Sequence, residues 1–133
     1  MKRAGGCQCG TIRYESAGEP FALFVCHCIE CRKQSASAFG MSLPVSRSGF
    51  QVTKGVPKFW TRLGDSGRPI RCAFCPGCGT RLWDEPDADI VVIKAGSLDD
   101  PVDMAKAIHI WTSSKLPGLN IPEDAQQFLQ EPD

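Results

Sequence analysis

The chain has 133 residues, enough to bury one core, and 42% of them are hydrophobic. No apolar run approaches the ~18 residues of a membrane-spanning helix, and the start Met1-Lys2-Arg3-Ala4-Gly5-Gly6 lacks the apolar stretch of a secretory signal. The formal net charge is zero but lopsided: residues 1–81 hold twelve Lys/Arg against four Asp/Glu, and residues 82–133 hold three against eleven. One compact domain over residues 1–133 folds both parts together, so the count alone gives no nucleic-acid surface.

Short β-like stretches recur along the chain. Thr11–Glu15 alternates apolar and polar residues, and Phe21–Val25 runs straight into Cys26. Glu30–Ala38 follows as one or two helical turns. Phe39–Val45, Phe50–Thr53 and Lys58–Arg62 are further strands, punctuated by Pro44, Gly49, Gly55 and Pro57. Ile70–Phe74, Arg81–Asp84 and Ile90–Lys94 come next, and the last of these is the most apolar β-branched run and is expected centrally. Ala107–Trp111 is a late strand. Pro122–Leu129 opens with proline and acids, which predicts a short C-terminal helix. The expected class is mainly β, with one or two short helices.

Eight cysteines in a chain without an export signal point to metal in a reducing compartment, the cytoplasm, rather than to a disulfide scaffold. Cys75-Pro76-Gly77-Cys78-Gly79 has a zinc-knuckle pattern: two thiolates three apart grip one ion when the chain turns tightly between them, and backbone N–H groups point at the sulfurs. A redox or disulfide pair is the competing reading. Cys7 and Cys9 lie two apart, so an extended backbone aims both sulfurs one way. Neither pair fills a tetrahedron, and together they make the four-thiolate composition of a structural zinc site.

Cys26, Cys28 and Cys31 form a different set. The first two share a side of an extended segment, and the last two are one helical turn apart. Three thiolates leave one zinc vertex for water or substrate, the layout of a catalytic site. Closure by His27 or His109 is the alternative; His27, between two ligands, is expected to point away. An iron–sulfur cluster fits the spacing poorly. Cys72 alternates with Arg71 and Ala73 and reads as a buried core residue.

Gly6-Cys7-Gln8-Cys9-Gly10, Cys26-His27-Cys28-Ile29-Glu30-Cys31-Arg32-Lys33 and Phe74-Cys75-Pro76-Gly77-Cys78-Gly79 together resemble the glutathione-dependent formaldehyde-activating enzyme family, whose domain centromere protein V shares. Ala95–Asp100 and His109-Ile110-Trp111 look like the family's later segments, so the resemblance spans residues 5–116. It implies a β-tent fold of zinc-ribbon-like hairpins. It also implies two zinc ions, a structural one on Cys7, Cys9, Cys75 and Cys78 and a catalytic one on Cys26, Cys28 and Cys31. The implied activity is that of a carbon–sulfur lyase forming S-hydroxymethylglutathione from glutathione and formaldehyde. Where the family often continues with proline–tryptophan after the late strand, this chain has Lys115-Leu116-Pro117-Gly118.

An open zinc site takes a soft sulfur and favours its thiolate, which then adds to a nearby aldehyde. Arg32 and Lys33 are candidates for drawing a small thiol's carboxylates, against a solvated helix start. His109 is a candidate proton shuttle or substrate contact, against a hydrogen-bonded structural histidine. The alternative to an enzyme is a non-catalytic, zinc-stabilised binding module on the same fold; thiol redox chemistry through the three-cysteine set is a third class. No nucleic-acid or membrane partner is expected.

Overall fold

The computed structural model describes residues 2–132. The chain divides into two compact units, Met1–Phe21 with Leu43–Pro101, and Ala22–Ser42 with Val102–Asp133. Both are built from short strands, and the described residues contain one α-helix, so the mainly β expectation holds.

In the first unit, β1 (Lys2–Gly6), β2 (Arg13–Ala17) and β5 (Phe50–Lys54) form an antiparallel sheet of order β1-β2-β5. Residues 43–46 of β4 (Gly40–Ser46), with β9 (Ile90–Lys94), β8 (Arg81–Glu85), β7 (Pro69–Phe74) and β6 (Lys58–Leu63), continue as β4-β9-β8-β7-β6. The β-branched run of β9 therefore sits between two neighbouring strands, as its apolar content predicts.

The core of this unit follows from alternation. Tyr14 and Ser16 of β2 turn inward, as do Val91 and Ile93 of β9, while β8 is buried on both faces through Leu82 and Trp83; all six are nearly unexposed. Trp83 packs edge-on against Tyr14 and Phe50, with centroids 5.8 and 4.9 Å away. Its indole N–H donates to Glu85 Oε2 at 2.9 Å, so burying the large ring leaves no polar orphan. Cys72 is fully buried, as its place in the alternation predicts.

In the second unit, β3 (Phe24–Cys26) pairs parallel with β10 (Ile108–Ile110) and antiparallel with the first residues of β4, Cys26 facing Gly40. Between β3 and β4 lies α1 (Ile29–Ser35), capped by Cys28 at its start and ended by Ala36 in the left-handed region. The helix expected at Pro122–Leu129 does not form. One turn closes as Ala125 N–H donates to Pro122 O at 3.0 Å, and then the chain extends so that Gln127 bridges His109 in parallel. Eight residues are too few for a stable helix on local signal alone, and the edge of β10 offers backbone partners that a helix would forgo.

Candidate metal centres

The four-cysteine cluster is made by two hairpin tips. The β1–β2 tip closes as Cys7 N–H donates to Ile12 O at 3.1 Å and Gly10 N–H to Cys7 O at 3.1 Å. The backbone here is a tight turn, not the extended segment the two-residue spacing predicts; a turn brings both sulfurs to the tip. The β7–β8 tip closes as Cys75 N–H donates to Thr80 O at 3.0 Å and Gly79 N–H to Cys75 O at 2.8 Å. N–H groups point at sulfur in both tips: Ile12 to Cys7 and Gly77 to Cys75, each at 3.3 Å.

The sulfurs of Cys7, Cys9, Cys75 and Cys78 all lie within 4.8 Å of one another. Cys7 Sγ is 3.6 Å from Cys9 Sγ, which is 3.7 Å from Cys75 Sγ. A tetrahedron with zinc–sulfur bonds of ~2.3 Å has edges of about 3.8 Å, whereas a disulfide closes to ~2.05 Å. The donor set and its spacing fit one zinc ion and do not fit a disulfide.

Two threonines unassigned from the sequence complete this cluster. Thr11 Oγ1 lies 3.1 Å from Cys9 Sγ and 3.4 Å from Cys75 Sγ. Thr80 Oγ1 lies 3.2 Å from Cys78 Sγ and accepts from Gln8 N–H at 3.0 Å. The signal was the repeated Cys-Gly-Thr at 9–11 and 78–80, whose glycines Gly10 and Gly79 both take positive φ, +80° and +82°. The Thr80 hydroxyl and backbone hold the Cys78 thiol down to about 5. Burial pushes the Cys7 thiol up, but hydrogen bonds from Ile12 N–H and Thr11 outweigh it and bring it to about 7.

The three-cysteine cluster lies wholly in the second unit. Cys26 ends β3, Cys28 is the extended N-cap of α1, and Cys31 sits in the helix's first turn. Cys28 Sγ accepts from Cys31 N–H at 3.3 Å, so the sulfur both caps the helix and faces its neighbours. The three sulfurs lie within 4.8 Å of one another, and no fourth His, Cys, Asp or Glu joins them among the described residues. Hydrogen bonds from the Cys26 and Cys31 thiols hold the Cys28 thiol down to about 2, while the same contacts push Cys26 far up. Three sulfurs this close do not all ionise until a cation sits among them. The donor set suits zinc with one vertex left over.

His27 and His109 stand beside this cluster without joining it. His27 is fully buried, with its Nε2 3.0 Å from Nδ1 of His109, which is 7% exposed. The rings stack with centroids 5.3 Å apart. Burial lowers both imidazole pKa values, disfavouring the charged form of each ring. Nδ1 of His27 has no hydrogen-bond partner. A donating His27 Nε2–H leaves that atom a bare lone pair, cheaper to bury than an orphan N–H. Arg32 is half-buried and Lys33 exposed on α1.

The sequence family described as glutathione-dependent formaldehyde-activating enzyme matches residues 2–114. A crystal structure of a Rhodobacter sphaeroides protein is similar in fold, with a TM-score of 0.59 at 18% identity, covering 82% of this chain and 99% of that one.

Proposed function

Because the chain belongs to the glutathione-dependent formaldehyde-activating enzyme family, we propose that it is a zinc-dependent carbon–sulfur lyase. Its reaction joins a small thiol such as glutathione to a small aldehyde such as formaldehyde, and reverses the same step. The observation that carries this reading is the trio Cys26, Cys28 and Cys31, whose sulfurs converge with no fourth ligand among the described residues. Cys7, Cys9, Cys75 and Cys78 then hold a second, structural ion. A reducing cytoplasm is the compartment in which all seven thiols stay available.

In the net reaction the thiol sulfur bonds to the carbonyl carbon. The carbonyl π pair moves to oxygen, which takes the thiol's proton. Zinc bound by the trio supplies the positive charge that favours the thiolate form of an incoming thiol. The chain's own contribution is placement. Cys28 is fixed as the helix cap and Cys26 by its register opposite Gly40, so the ligand sulfurs hold still while substrate enters. Arg32 and Lys33 supply positive charge that draws the thiol's carboxylates. His109, turned toward His27, braces the backbone between Cys26 and Cys28.

The binding-module reading called for closure of the trio by His109. No observation favours it, because neither ring nitrogen of His109 converges with the three sulfurs. The test is exchange spectroscopy by NMR on glutathione with formaldehyde, using protein carrying both ions. Adduct exchange faster than in buffer, lost in Cys28→Ser, is expected. Exchange at the buffer rate with both ions bound refutes the activity.

A further inference from the structure

The family match ends at residue 114, yet the chain beyond it returns to the three-cysteine trio. His109 N–H donates to Gln126 O and Phe128 N–H to His109 O, both at 2.9 Å. Trp111 N–H donates to Gln130 O at 3.1 Å, and the Ser113 hydroxyl to Leu129 O at 2.8 Å. The Trp111 indole N–H donates to Glu131 Oε1 at 2.9 Å. Residues 126–131 are therefore docked along β10, not merely laid near it.

This docking has a consequence for the trio. Phe128 packs against the cluster of Cys26, Cys31 and Ile110, together with Phe24, Ile108 and Trp111. All four of these outer side chains are only half-buried, so the apolar set packed against the trio's cluster keeps some surface in solvent. Trp111 takes φ +56°, a left-handed conformation costly for a bulky residue. Such strain persists where surrounding contacts over-determine it, and here the partners Gln130 and Glu131 come from the same returning segment.

We propose that residues 126–131 form an apolar wall of the substrate site, with Phe128 as the specificity-determining residue, and that the preferred thiol carries an aryl or branched apolar group next to its sulfur. This inference rests on the reading of the trio as a metal site open to thiols. Sulfur entering beside Cys26 and Cys31 brings its substituent against Phe128 and Trp111, where an apolar group loses water on both sides and a hydroxyl or charged group loses hydrogen bonds.

The experiment uses the full chain loaded with cobalt(II), whose thiolate charge-transfer absorption reports an added sulfur ligand without turnover. Benzyl mercaptan and β-mercaptoethanol, thiols of similar acidity, are titrated in parallel. Benzyl mercaptan is expected to bind roughly tenfold or more tightly. Phe128→Ala is expected to remove most of that gap while metal content and β-mercaptoethanol affinity hold. Equal affinities in the unaltered protein, or a gap untouched by Phe128→Ala, overturn the wall. If Phe128→Ala does not fold, Phe128→Leu decides: it keeps apolar packing but loses the ring, so a smaller gap supports the wall and an unchanged gap overturns it. Exchange of glutathione and of benzyl mercaptan with formaldehyde is followed on the zinc protein, and absent exchange means absent with both. Absent exchange with the thiol gap intact sinks the lyase reading alone, and exchange with no gap sinks the wall alone.

Discussion

Tyr14 is the chain's one tyrosine, and the structure buries it completely, with its hydroxyl 2.6 Å from Ser97 Oγ. Burial pushes its pKa from 10 up to about 12, which the Ser97 contact offsets only in part. The folded state therefore favours the neutral phenol. That contribution, on the order of 2–3 kcal/mol, is whole below the unfolded value and fades as pH rises through the folded one. Phenolate absorbance should stay absent until near pH 12 in the folded protein and appear near pH 10 in urea. A folded protein showing phenolate at pH 10 would contradict this burial. At the same scale the converging cysteines were legible: spacing marks each pair and the trio, and the two pairs join because neither fills a tetrahedron alone. The hydroxyls of Thr11 and Thr80 were not. They matter through a turn geometry that only the repeated Cys-Gly-Thr hinted at.

Among the elements, most strands were legible because alternation and turn residues agree with each other. β1 was not: Lys2–Gly6 carries no apolar–polar alternation, yet it lies in the ladder with β2. The reason is close approach. A Cβ on Gly5 would sit 2.5 Å from both Ser97 O and the Tyr14 hydroxyl. Gly5→Ala is therefore expected to destabilise the fold by roughly 1–3 kcal/mol, read as a lower urea midpoint with unchanged slope. An unchanged midpoint would mean that β1 is not held as described. The C-terminal segment failed the opposite way. Its local helix signal at Pro122–Leu129 yields a single turn at 122–125, but the open edge of β10 and the seat for Phe128 are tertiary features that the sequence does not display.

For the whole molecule, the two clusters predict different penalties. On the proposed reading, an ion joins the two hairpin tips and its binding belongs to the folding free energy, which Cys75→Ser removes. Thermal melting followed by circular dichroism should fall on the order of 10 °C or more, and a strong chelator should act alike. Cys28→Ser removes a ligand held within one helix cap, so its main effects should be loss of one metal ion per chain and of aldehyde–thiol exchange, with a far smaller change in melting. Equal melting losses in the two variants would contradict this division of labour. Cys9 and Cys75 are 66 residues apart in the chain, whereas the trio falls within residues 26–31. A polypeptide emerging from the ribosome thus presents a complete chelating loop early, and its second one only after the knuckle has been translated. On the two-ion reading proposed above, cotranslational metallation has a built-in order, with the trio able to close on metal before the four-cysteine cluster exists.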